Sequence, residues 1–206
     1  MPRRIDYGDR GDFVIEAVCR VIRRAGLPGL SLRAVAAEVG VSPSTLLHQF
    51  TDRARLVRVA AARVGAARNR YISCRAQHDG LLAFVPVSET EVERARVCVA
   101  FAELARSEPD LGPVVAAVKR EERDILDWLT ERSLDEPRID VLAGIVDGVV
   151  AAMFVTEDAW THERAEAALM DCARGLGLPE RALPEKNLPE RDLPQRDLPG
   201  PVTSAS

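Results

Sequence analysis

Aromatic side chains are scarce in this chain, at 4% of 206 residues. Histidine is scarcer still: only His48, His78 and His162 occur. None of the three has a carboxylate or cysteine at useful helical spacing within a glycine-rich or strand context. A phosphate-cradling glycine loop, a dinucleotide fingerprint and a nucleophile elbow are all missing, so no catalytic role is expected. The four cysteines, Cys19, Cys74, Cys98 and Cys172, are far apart and include no Cys-x-x-Cys pair. That spacing argues against a zinc site or a disulfide framework and leaves them as small buried hydrophobes. No metal or cofactor is called for. The longest apolar run, Val141 to Val155, is too short to span a bilayer and contains Asp147. The opening stretch from Met1 to Asp12 is of mixed charge and does not read as a secretory signal. These absences together point to a reduced cytoplasm, with no membrane partner.

No run alternates apolar and polar residues as a strand would. The 47% of apolar residues is dominated by alanine, valine and leucine, with abundant arginine besides. The fold class expected is therefore all-α. The net charge of −4 is unevenly spread. Residues 1–75 hold 14 Arg against 6 Asp or Glu, and the remainder holds 14 Lys or Arg against 26 Asp or Glu. A basic quarter joined to an acidic body fits a nucleic-acid-binding head.

The pattern within that quarter sharpens the reading. Val14, Ala17, Val18, Val21, Ile22 and Ala25 form one apolar stripe of a first helix from about Asp9, ended by Gly26 and Pro28-Gly29. Residues 1–9, with Arg3 and Arg4, read as a terminal arm. Ser31 is placed to cap a second helix carrying Val35, Ala36 and Val39, and Gly40 is placed to stop it. Ser42 then caps a third helix with Pro43 at its first position. Leu46 and Phe50, four apart, anchor this helix. Pro43, Ser44, Thr45, Leu47, His48 and Gln49 are left on its outer face. One anchored face, one small polar face and a glycine turn make a helix-turn-helix.

The string Ala36-x-x-x-Gly40-Val41-Ser42-x-x-Thr45-Leu46-x-His48-x-Phe50-x-x-Arg53-x-x-Leu56 resembles the signature of the tetracycline-repressor (TetR) family of bacterial transcriptional regulators. The motif occupies roughly the first quarter of the chain. The resemblance implies base contacts at the start of the second helix and along the third. It points to Ser31 and Arg33 on the former, and to Pro43, Ser44, Thr45, Leu47, His48 and Gln49 on the latter. An arginine at 33 has the fork to take guanine O6 and N7 together. Arg53 matches a position usually held by a phosphate-contacting lysine. Leu47 departs from the pattern, because the family usually places there a tyrosine whose hydroxyl bonds a phosphate.

Beyond the head, Leu56, Ala60, Val64, Ala67 and Tyr71 recur at helical spacing to about Gln77. At ~1.5 Å per residue such a helix is a rod more than ~30 Å long that joins head to body. Ser88-x-x-Glu91 reads as a capping box for a helix to about Arg106 that is buried nearly all round. Asp110 is placed to cap a further helix on whose solvated face Glu121, Glu122 and Arg123 lie. Pro137 reads as the end of a linker. Two last helices follow, 138–155 and 161–176. The tail repeats Leu-Pro every five residues, with prolines at 179, 184, 189, 194 and 199, and reads as disordered, extended chain. The expected organisation is a head at 1–52, a helical ligand-binding and dimerisation domain at 53–177, and a Pro-rich tail at 178–206.

The family resemblance implies a small-molecule effector held in the body. Candidate pocket residues are His78, Phe84, Cys98, Phe101, Trp128 and Met153. Segments Ala100-Phe101-Ala102-Glu103, Pro109-Asp110-Leu111 and Asp147-Gly148 are similar to the subgroup containing choline/betaine regulators, a likeness of scaffold that names no ligand. Leu142, Ile145, Val149, Met153, Leu169 and Cys172 are candidates for a homodimer interface, since one helix-turn-helix reads too few bases to select a genomic site. The function expected is a ligand-responsive repressor, acting as a homodimer on a near-palindromic double-stranded DNA operator. A helix-turn-helix that contacts protein, or an activator without a ligand, is the alternative.

Overall fold

A computed structural model describes residues 7–154 and 159–184, with side chains from residue 13 onward. The expected arm through residue 6 and the tail from 185 lie outside the described residues. Among the described residues eight α-helices follow one another: α1 (Tyr7–Ala25), α2 (Leu32–Val39), α3 (Pro43–Phe50), α4 (Arg53–Asp79), α5 (Glu89–Leu104), α6 (Gly112–Leu129), α7 (Glu136–Ala152) and α8 (His162–Gly175). No strand occurs among the described residues. None of the described helices is long and apolar enough to cross a membrane.

The helix starts are written in the sequence. Ser31 Oγ accepts from Ala34 N at 3.1 Å, Asp52 Oδ1 from Arg55 N at 2.7 Å and Asp135 Oδ1 from Arg138 N at 3.1 Å. Each bond satisfies a backbone donor that the first helical turn leaves unpaired. Gly40 ends α2 with φ 76°, a left-handed conformation that costs glycine nothing. Thr51, which ends α3, also has a positive φ of 65°. A β-branched residue rarely adopts that backbone, so the α3–α4 joint carries strain.

Two apolar cores are strung along α4. The first joins α1, α2 and α3 to the near half of α4 and to Val97, Phe101 and Leu111. The second gathers Ile72 and Ala76 with Phe84, Leu126, Leu142, Leu169 and their neighbours. Between them lies a polar layer at Arg68 and Asn69, both buried. Asn69 Nδ2 donates to Val118 O at 3.0 Å, and Arg68 Nη2 to Phe84 O at 3.1 Å. One turn earlier Gly65 lets α4 and α6 touch, since a Cβ there would lie 2.5 Å from Val118 Cγ2.

Several expectations are corrected. Asp110 does not cap α6. It lies inside a 3-10 turn, Pro109–Leu111, that runs directly into the helix. Pro137 does not end a linker but sits in the first turn of α7, where a missing N–H is tolerated. Glu122 is not on a solvated face: α6 turns it inward toward Arg68, 3.8 Å away. The capping box at Ser88 is half made. Ser88 Oγ accepts from Glu91 N, but Glu91 gives its Oε1 to Arg94 at 2.5 Å. Helix α5 buries Val97 and Phe101, while Cys98, Val99, Ala100 and Ala102 stay half-buried.

The folded body also runs past residue 177. Glu180–Ala182 forms a 3-10 turn, with Ala182 buried against Gly80 at the end of α4. The first pentapeptide differs from its successors at the residue that packs. It has Ala182 where they have Asn187, Asp192 and Asp197.

The cysteines differ sharply in access. Burial pushes the Cys98 thiol up to about 12 and the Cys19 thiol up to about 11. Cys74 lies exposed on α4. Thiolate is the reacting form. With a chromogenic disulfide at pH 8, one thiol, Cys74, should react at once. Cys19, Cys98 and Cys172, half-buried and with thiols pushed up by burial, should react more slowly, and a Cys74→Ser chain should lack the fast phase.

Candidate nucleic-acid interface

The head presents α3 outward. Leu46 and Phe50 are buried against α1 and α2, which leaves Pro43, Ser44, Thr45, Leu47, His48 and Gln49 exposed on one face. Leu47 is 51% exposed, a large apolar side chain standing among small polar ones. Ser42 Oγ lies 2.8 Å from both Ser44 Oγ and Thr45 Oγ1, so three hydroxyls cluster at the helix start. Exposed hydroxyls beside the positive end of a helix dipole suit a phosphate oxygen. Arg33 is exposed on the first turn of α2, while Ser31 spends its hydroxyl on the cap. The α1–α2 angle is fixed by Glu38, which accepts from Arg20 Nε at 2.8 Å and Arg24 Nη1 at 3.0 Å. Those two bonds hold its carboxyl below the usual carboxylate range.

Arg53 is placed differently from its neighbours in the motif. Its Nε donates to Leu30 O at 2.9 Å and its Nη1 to Glu108 Oε1 at 2.9 Å. It therefore ties the loop before α2 to the loop after α5, and any phosphate must share the guanidinium with these acceptors.

The six pocket candidates are not brought together. Phe84 lines a cavity of about 330 Å³ between α6 and α7, with Leu126, Val146, Lys119, Glu122 and Asp147. Phe101 is buried in the head-side core, and Cys98 packs against that core. Trp128 is 41% exposed, with the Arg181 guanidinium 4.8 Å from its ring centre. His78 and Met153 are half-buried near the ends of α4 and α7.

The dimer candidates separate in the same way. Leu142, Val149 and Leu169 are buried in their own chain's second core and have no surface to offer a partner. Ile145, Met153 and Cys172 are half-buried. The face that α7 leaves open is instead Val141, Gly144, Ile145 and Gly148, one stripe of apolar and small residues at helical spacing.

An ionic chain running from buried Arg68 and Glu122 out to the part-exposed Lys119 and Asp147 was not read from the sequence. Arg68 faces Glu122 on α6. Glu122 Oε2 also takes Lys119 Nζ at 2.6 Å, and the same ammonium donates to Asp147 Oδ1 on α7 at 2.5 Å. Both carboxylates raise the Lys119 pKa against the opposing effect of burial. Glu91 is the buried acid on α5. Desolvation pushes its carboxyl up despite Arg94, and its Oε2 has no hydrogen-bond partner. The available signal was phase: Arg68 falls four after Val64 and four before Ile72, on the inward face of α4. The pair His162 Nε2–Glu166 Oε1, 2.9 Å apart on α8, is half-buried and, among the described residues, belongs to no group of three or more side chains that could hold a metal ion.

A three-helix head with one exposed, hydroxyl-rich helix is the helix-turn-helix class of binding domain. Residues 14–60 match the family model of bacterial regulatory proteins, tetR family. That match covers the head and the start of α4. The HTH-type transcriptional regulator PksA of Bacillus subtilis (strain 168) is 32% identical over 120 residues, which take in 54% of this chain and 58% of that protein. The chain thus matches somewhat over half the length of that relative. Two solved structures share the fold. A transcriptional regulator from Rhodococcus sp. Rha1 has a TM-score of 0.68 at 23% identity, over 81% of this chain and 94% of that one. The multidrug binding protein EbrR, complexed with ethidium, has a TM-score of 0.59 at 23% identity, over 81% and 99%.

Proposed function

We propose that the protein is a DNA-binding transcriptional regulator, with α3 and the first turn of α2 reading a duplex. The observation that carries this is the outward face of α3 in a head that matches the tetR family model over residues 14–60. The regulator acts as a homodimer that represses from a near-palindromic operator, with the open stripe of α7 around Gly144 and Gly148 meeting its counterpart in a second copy. A dimer is needed for the half-site spacing that two heads impose. The effector pocket is the cavity between α6 and α7. It combines apolar walls from Phe84, Leu126 and Val146 with the Glu122–Lys119–Asp147 ion group. That EbrR was solved with ethidium supports a small-molecule occupant in a body of this fold.

Binding to a duplex selected from random DNA, titrated with salt, tests the reading. Several phosphate contacts make affinity fall steeply with salt concentration. A flat salt response would favour a head that contacts protein. On the selected duplex, Arg33→Ala should relax sequence preference, with a loss of about 1–3 kcal/mol confined to the best site. Arg53→Ala should weaken binding to all sequences alike, because it removes charge and frees the loop at Leu30. If the two variants act identically, their roles are misassigned.

A further inference from the structure

Burial and hydrogen bonding sort the eight residues of α3 by chemistry. Leu46 and Phe50 are buried and the other six are exposed. Ser44 and Thr45 already engage Ser42 Oγ, each at 2.8 Å, so their hydroxyls are drawn to the helix start. Leu47 lies four residues beyond Pro43, and the two form one apolar stripe on the helix surface. Ser44 and His48, also four apart, form the polar stripe beside it. At 51% exposure, Leu47 keeps apolar surface in water, and contact with another apolar group recovers that free energy.

A single exposed leucine on a protein surface is ordinary. Leu47 differs by its place. It stands on the outward helix of a head whose residues 1–75 hold 14 Arg against 6 Asp or Glu, a charge that suits a polyanionic duplex. Such a partner offers few apolar groups. In the major groove the base edges present hydrogen-bonding atoms, and the apolar group among them is the C5 methyl of thymine. The helix that carries Leu47 is also pinned at both ends. Ser42 caps its start ahead of Pro43, and at its end Thr51 N donates to the Leu47 carbonyl at 2.8 Å. Phe50 and Leu46 seat it on the head core. A side chain on a helix held this way meets the same point of a groove each time the head docks.

We propose that Leu47 is a specificity-determining residue of the head, packing its side chain on the C5 methyl of a thymine in the major groove. The proposal rests on the DNA reading above. Its test uses the full chain and the duplex that the chain selects from random DNA. Each thymine of that duplex is replaced in turn by deoxyuridine, which removes the methyl and keeps every hydrogen-bonding group of the base. At least one thymine is expected where loss of the methyl weakens binding about fourfold, the worth of one buried CH₂ group. The same replacement should leave the affinity of Leu47→Ala unchanged. Leu47→Ala should bind the thymine duplex about fourfold or more weakly than the parent, and in a fresh selection it should show no thymine preference at that position. Thermal melts report that the variant is folded. A methyl scan that is flat for the parent overturns the proposal. So does a loss of equal size in Leu47→Ala, which would assign the methyl contact to Thr45 or Pro43. A parent chain that selects no duplex sinks the DNA reading and this proposal together, whereas sequence-specific binding with a flat scan sinks this proposal alone.

Discussion

Phe50→Ala should abolish duplex binding and destabilise the chain by about 3–5 kcal/mol, the usual cost of emptying a buried phenylalanine site. At roughly 2–4 °C per kcal/mol for a chain of this size, the thermal midpoint falls by about 10 °C. Phe50 is 4% exposed and is the last residue of α3. It packs in a core that contains Val18, Val21, Leu30, Val35 and Leu46 from the head, together with Leu56 from α4. Only this burial orients the outer face of α3. The next residue, Thr51, already carries an unfavourable backbone, so the joint has little stability to spare. Leu47→Ala is the matched control. It stands three residues away on the same helix but points to solvent, where truncation changes stability by less than about 0.5 kcal/mol. Circular dichroism melts and duplex titration of both variants separate the two roles. Retention of binding by Phe50→Ala would mean that α3 is held by something other than this core.

The contrast between Phe50 and Leu47 also shows where a sequence is readable. Local rules decided the head. A hydroxyl at Ser31 or Ser42, a glycine at 40 and an apolar pair at 46 and 50 act within a few residues of themselves. Their outcome follows from spacing alone. In the body, outcome depends on which helix lies opposite, and spacing does not say. Glu121, Glu122 and Arg123 look like one solvated run, yet only Glu122 is buried, because α6 crosses α4 at Gly65 and brings Val118 and Glu122 inward. Leu142 and Leu169 looked like interface residues by hydrophobicity, but a chain must first fill its own core. What α7 leaves open is Val141 and the half-buried Ile145 together with two glycines, Gly144 and Gly148, which hydrophobicity ranks low. The pocket candidates lie apart for the same reason: an aromatic in a helix says that it will be buried, not in which of two cores. The pentapeptide tail was misjudged at its first unit because composition averages over units, whereas packing responds to the single alanine at 182.

The second large effect belongs to the polar layer that divides those cores. Arg68→Ala should cost about 3 kcal/mol, at the lower end of what breaking a buried ion pair costs. The side chains of Arg68 and Glu122 are 5% and 8% exposed, so water replaces little of what is lost. The variant leaves Phe84 O without the 3.1 Å donor and leaves Glu122 with Lys119 as its remaining cation. That surviving bond is why the cost stays near 3 kcal/mol. The Glu91 carboxyl supplies an independent check. It is pushed up mainly by burial, with Arg94, Arg68 and Arg75 opposing the shift. Where the folded-state value lies above the unfolded one, the folded chain binds the extra proton, so stability falls as pH rises through that window. Removing Arg68 takes away one opposing charge, raises the folded value further and widens the window. The penalty of Arg68→Ala should therefore grow between acid and neutral pH in urea melts. Replacing the pair together, Arg68→Met with Glu122→Leu, should recover much of the loss, because a well-packed apolar pair needs no desolvation of charge. The same double variant should bind DNA normally yet respond differently to any ligand of the α6–α7 cavity, since Glu122 is part of that wall. If the double variant is no more stable than Arg68→Ala, the layer is held by Asn69 and Gly65 packing, and the ion pair contributes little to stability.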